Sequence, residues 1–194
     1  MNVAEYERYY KAKLEGALLY QDFVVDCAWN LLGLAIVQYA SKTYQQSVGE
    51  SRTGVEIKHD EQFAKTGNLW IEVAEKARPR EGDYATSGIY RQDNAWLYVI
   101  GDYDTLFFFS KRLLVALHKS GKFNVIENRT KTSRGFLLSH VEGERYASIL
   151  LHPKAAQKIA KIAADIEHLG RELHALVRRD ERQLSLFEAV ERRS

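Results

Sequence analysis

The chain has one cysteine, Cys27, set in an apolar helical context. A single thiol excludes a disulfide framework and a cysteine-built zinc site, and it points to a reducing compartment. No secretory signal is legible and no apolar run has the length a bilayer span requires, so the expectation is a cytoplasmic protein with no membrane partner. Excess charge of either sign is also missing: 28 Lys and Arg stand against 26 Asp and Glu, a formal net charge of +2. Any attraction for a polyanion must therefore come from local clustering. The six histidines show no zinc spacing, since His168 and His174 lie six apart on a predicted helix and do not share a face. Internal repeats and low-complexity segments are absent too. What remains is a chain of 194 residues, 45% hydrophobic and 28% charged, enough for one soluble domain with a core of its own, or one domain and an appendage.

Taken in order, residues 3–32 carry apolar residues at helical spacing and predict one or two amphipathic helices, divided at Gly16 or near Gln21. Gly33 stops them, and 34–39 reads as a strand. A polar loop, 41–52, leads to two strands, 54–60 and 67–76, that alternate apolar and polar residues and predict an antiparallel hairpin. Residues 78–88, with Pro79, Gly82 and Gly88, form an exposed connection. Two continuously apolar strands, 95–100 and 105–109, flank a Gly101-Asp102 turn and are expected to be buried on both faces. A short helix, 111–119, ends at Gly121; 136–138 and 148–151 predict a weaker strand pair. Pro153 opens a last helix to about Arg179, with Ile159, Ile162, Ile166, Leu169, Leu173 and Leu176 on one side. The expected fold class is α/β (α+β): a mixed central sheet flanked by helices over 1–152, a C-terminal helix over 153–180, and a flexible tail over 181–194.

Chemistry concentrates in the two alternating strands. Glu56, Lys58 and Asp60 point one way, while Trp70, Glu72 and Ala74 share a face of the next strand. With Glu72 on Asp60's side, two carboxylates and an ammonium meet in a small volume. A divalent cation held by oxygen ligands compensates such like charges.

Tyr20-Gln21-Asp22-Phe23, Gly49-Glu50, Gly54-Val55-Glu56-Ile57-Lys58-x-Asp60, Thr66-Gly67-Asn68-Leu69-x-Ile71-Glu72 and Ser87-Gly88-Ile89 together resemble a phage-type branch of the PD-(D/E)XK nuclease superfamily, over the first two thirds of the chain. The resemblance implies a restriction-endonuclease-like core and a magnesium-dependent deoxyribonuclease, with manganese as a substitute. Carried over by position, Asp60 and Glu72 are the metal carboxylates. Ala74 stands where the pattern has its lysine, which leaves Lys58, then Lys76, to supply the ammonium. A second register reads Glu56-x-Lys58 as the motif, with Glu50 as the upstream acid. The helix acid that some members use is Glu15, Asp22 or Asp26. Ser87, Tyr44 and Gln45 are candidate DNA contacts, and Gln92-Asp93-Asn94 either lines the site or forms a turn. His59 alternates away and is expected at the surface.

Near the C-terminus, Gln183-Leu184-Ser185-Leu186-Phe187 matches the pentapeptide by which bacterial proteins dock on the sliding clamp, as an extended segment whose apolar anchors fill a pocket. Arginines at 178, 179, 182, 192 and 193 flank it. The combined expectation is a DNA nuclease recruited by the sliding clamp in a bacterial or phage-infected cell. Two alternatives stay open: a junction resolvase, which calls for a symmetric homodimer, and a non-catalytic clamp- or DNA-binding protein on a nuclease scaffold.

Overall fold

The structure is a computed structural model that describes residues 3–79 and 82–191, with side chains described for 8, 11–41, 43–45, 47–79 and 82–175. The chain divides into two units, 1–153 and 154–194. In chain order the first contains α1 (Val3–Leu32), α2 (Lys42–Ser47), β1 (Val55–His59), α3 (Phe63–Thr66), β2 (Asn68–Glu75) and β3 (Ala85–Thr86). A 3-10 turn, Gly88–Tyr90, then leads to β4 (Leu97–Gly101), β5 (Leu106–Ser110), α4 (Lys111–Lys119), β6 (Ile126–Glu127), β7 (Ser133–Ser139), α5 (His140–Tyr146) and β8 (Ile149–Leu151). The last helix, α6 (Pro153–Glu191), makes up nearly all of the second unit. Among the described residues no helix is long and apolar enough to cross a membrane.

The strands form two four-stranded sheets. One is mixed, in the order β1-β4-β5-β8, with β1 parallel to β4 and the other pairs antiparallel. Its central strands are the apolar runs: Leu97 to Ile100 are all buried, and Phe107, Phe108 and Phe109 are fully so. The other sheet, β3-β2-β7-β6, is antiparallel. Here β2 alternates, turning Leu69, Ile71 and Val73 into a core shared with Phe136, Leu138, Phe107 and Phe109, and leaving Asn68, Trp70, Glu72 and Ala74 on a half-open face. Burial of so many aromatic and branched side chains drives the association of the two sheets.

Several expectations are corrected. The strands at 54–60 and 67–76 do not form a hairpin: β1 pairs with β4 and β2 with β7, in different sheets. The cause lies between them, where Phe63–Thr66 makes one helical turn closed by Gly67 at φ 65, a left-handed conformation that glycine adopts without strain. That turn carries the chain off one sheet and onto the other. Strands β7 and β8 likewise part company, β7 joining β2 and β8 joining β5. Residues 34–39 contribute only an isolated bridge, Gln38 to Ser51, and the loop 41–52 contains α2. Residues 3–32 form one continuous helix. At the other end α6 runs past Arg179 to Glu191, because neither proline nor glycine interrupts the chain after Gly170.

Candidate active site

Strand β1 carries a close charged pair. Glu56 and Lys58, two apart, share a face, and Lys58 Nζ lies 2.6 Å from Glu56 Oε1. The carboxylate is buried, its side chain 4% exposed, whereas the lysine is half open to solvent at 50%. The other oxygen, Glu56 Oε2, is buried without a hydrogen-bond partner among the described residues. Glu50 arrives from the segment before β1. Its Oε2 accepts the Ile57 N–H at 2.8 Å, and its Oε1 accepts Gln21 Nε2 from α1.

A buried carboxylate and a half-buried one close enough to feel each other's charge disfavour double ionisation. Burial, then the charge on Glu56, pushes the Glu50 carboxyl up to about 7, against the opposing pull of Lys58, the Ile57 N–H and Arg91. Lys58 titrates above its ordinary value: burial favours its neutral form, but Glu56 and Glu50 outweigh that, with Glu72 adding to them. The Tyr98 hydroxyl, which donates to the Gly88 carbonyl at 2.8 Å, is raised by burial and then by Glu56.

Glu72 projects from the half-open face of β2. Ser87 Oγ donates to its Oε1 and Ser133 Oγ to its Oε2, both at 2.7 Å from buried serines. A β-bulge between Glu72 and Ala74 accompanies this arrangement on the β7 side. Gly88 packs against the Glu72 backbone so closely that a Cβ there would lie 2.2 Å from the carbonyl oxygen. Asp60 is committed to the backbone: Oδ1 accepts the Gln62 N–H at 3.1 Å and Oδ2 the Trp70 N–H at 2.8 Å, tying the end of β1 to the start of β2. Lys58, Asp60, Trp70, Glu72, Tyr98 and Arg129 line a cleft of about 720 Å³. Lys58 also borders a smaller hollow of about 390 Å³ with Glu50, Gln21 and Tyr20. The lysine thus stands between the Glu50 side and the Glu72 side.

The structure therefore joins Glu56 and Lys58 directly, sets Glu50 and Glu72 near enough for their charges to act on Lys58, and gives Asp60 a turn-fixing role. Ser87 holds Glu72. Tyr44 stacks on Tyr39 with ring centroids 5.6 Å apart, and Gln45 bonds the Tyr39 carbonyl at 2.6 Å, so both organise the α2 loop; neither lines either cleft. Lys76 lies over the Tyr84 ring at 4.7 Å. Glu15, Asp22 and Asp26 are exposed on α1, and the residue that α1 contributes is Gln21. Asp93 takes the turn role, accepting the Ala95 N–H, with an ion pair to Lys111 at 2.8 Å. His59 is half-buried and stacks on Tyr20 at 4.2 Å, not lying free at the surface, because Tyr20 and Tyr103 enclose it. The side chains of Gln183, Leu184, Ser185, Leu186 and Phe187 lie outside the described residues; their backbone is helical within α6.

Sequence reasoning missed Gln21, Ser133 and Tyr98. Gln21 had a signal in the quoted Tyr20-Gln21-Asp22-Phe23, whereas Ser133 meets Glu72 across 61 residues and had none. Among the described residues no three His, Cys, Asp or Glu side chains are grouped to hold a metal ion. No family model, curated protein or solved structure matches the chain.

Proposed function

We propose that this chain is a metal-dependent DNA nuclease of the PD-(D/E)XK type, centred on Glu50, Glu56 and Lys58. One observation carries the reading: a buried carboxylate oxygen, Glu56 Oε2, without a hydrogen-bond partner among the described residues, and the raising of the Glu50 carboxyl by burial and by Glu56 agrees with it. Such a pair fits magnesium, which is commonly held by one or two carboxylates and completes its shell with water and substrate phosphate. Magnesium, when bound there, supplies charge that offsets the phosphate and makes hydroxide accessible near neutral pH. The remaining work falls to the chain. Lys58, charged and half-exposed at the cleft, donates to a phosphate oxygen where negative charge builds. Gln21 and the Ile57 N–H fix the Glu50 carboxylate from behind. Glu72, held by two serines, keeps Lys58 charged from the cleft side.

Recruitment to DNA through the sliding clamp completes the reading, carried by Gln183 to Phe187. Docking as an extended peptide requires the end of α6 to unwind. Calorimetric titration with magnesium near neutral pH tests the centre: wild type binds, and Glu56→Gln weakens binding by tenfold or more, about 1.4 kcal/mol. Absence of binding by the wild-type chain contradicts it. Deleting 183–187 should abolish capture on immobilised clamp, and undiminished capture removes that part of the reading.

A further inference from the structure

We propose that α6 pairs with the α6 of a second copy of this chain as a parallel, in-register, two-stranded coiled coil. The inference does not depend on the nuclease reading. Ile159, Ile162, Ile166, Leu169 and Leu173 follow one another at alternating spacings of three and four, and Leu176 continues the series. That is a heptad repeat with apolar residues at its two core positions, a period of 3.5 that keeps one seam on one side of a supercoiled helix. The seam is open: relative exposure is 67% at Ile159, 49% at Ile162, 63% at Ile166, 62% at Leu169 and 64% at Leu173. The outer face carries a pair, Glu167 with Arg171 at 3.7 Å, and His168 reaches across to Glu172 at 3.3 Å. A helix gains most of its stability by packing an apolar stripe, so a seam of this length calls for a cover.

The flanks of the seam say what covers it. One flank is small and uncharged, Ala156, Ala163 and Gly170, and the other is charged, Lys158, Asp165 and Glu172. In a parallel in-register pair each charged flank lies along the small flank of the other helix, so no like charges meet. The antiparallel alignment that pairs all six core positions sets Asp165 against the second copy's Glu172, and Lys158 against its Arg179. The first core position holds Ile159, Ile166 and Leu173 and the second Ile162, Leu169 and Leu176. Two of three in each set follow the isoleucine-then-leucine pattern that favours two parallel strands, Leu173 and Ile162 departing from it, so the flank charges carry the choice of alignment. A helix of different sequence is ordinarily selected by charges on both flanks, and one flank here has none to offer. The next two core positions are Asp180 and Gln183, so the seam ends before the segment Gln183–Phe187 and leaves it outside the zipper.

Sedimentation equilibrium of the full chain, up to about 100 μM, should give twice the 22.3 kDa of one chain. Ile166→Lys combined with Leu173→Lys should return the monomer mass, a loss of about a hundredfold or more in association. Ile166→Cys tests the alignment separately: a parallel in-register pair brings residue 166 of both copies together, and oxidation links them, while the native Cys27 is buried. A monomer throughout the concentration range, a dimer that survives the double lysine variant, or a dimer that oxidation fails to link at 166 each overturns the proposal.

Discussion

Replacing Glu50 by glutamine should flatten the pH dependence of stability. In the folded chain the Glu50 carboxyl is raised from 4.5 to about 7 by burial and by Glu56. At acid pH both folded and unfolded chains hold this proton. As pH climbs past 4.5 the unfolded chain releases it while the folded chain keeps it, so folding binds a proton and stability falls with rising pH. The fall ends once pH exceeds about 7, where both states are ionised. At 1.36 kcal/mol per unit, the gap corresponds to about 3 kcal/mol lost across the window. Glutamine cannot ionise and keeps an oxygen for the Ile57 N–H. Urea unfolding midpoints of both proteins, from about pH 4 to about pH 8, measure the difference. Wild type should lose stability relative to Glu50→Gln as pH rises, and magnesium at the alkaline end should recover about 2.7 kcal/mol when present at roughly a hundred times its dissociation constant. Parallel profiles for the two proteins refute a raised Glu50 and its coupling to Glu56 with it.

Asp60→Asn should lower stability by about 1–2 kcal/mol, because one of the two backbone N–H groups at Gln62 and Trp70 loses its acceptor. For a chain of this size that is a drop of roughly 4 °C in Tm; an unchanged Tm with weakened magnesium binding would restore Asp60 as a metal ligand. Gly88→Ala should cost roughly 2–4 kcal/mol, since φ there is 51 and the added carbon meets the Glu72 carbonyl. Thermal unfolding reads this directly, and a change within about 0.5 kcal/mol would mean that the turn beside Glu72 yields freely.

Local chemistry was legible in the sequence where it depended on neighbours along the chain. The apolar runs at 95–100 and 105–109 announce β4 and β5, since continuous burial leaves no polar face to preserve. Helix α4 was expected at the residues it occupies, 111–119. The pairing of Glu56 with Lys58 follows from period-two alternation alone. Sheet partners did not follow, because strands such as β1 and β2 are short, alternate well and pair plausibly with each other; only the Phe63–Thr66 turn decides against it. Which carboxylates meet was hidden for the same reason. Asp60 and Glu72 carry the stronger spacing signal, yet backbone N–H groups engage the first and Ser87 and Ser133 the second. Glu50 comes within reach of the Glu56 charge because it turns back to accept the Ile57 N–H.

The central claim is tested most directly by incubating circular and linear DNA, single-stranded and duplex, with magnesium and the wild-type chain, Glu56→Gln, Lys58→Met or Asp60→Asn. The account predicts cleavage by wild type, a loss of about a hundredfold or more in Glu56→Gln and Lys58→Met, and retained cleavage in folded Asp60→Asn. No cleavage by folded wild type, or full activity in Glu56→Gln, contradicts it.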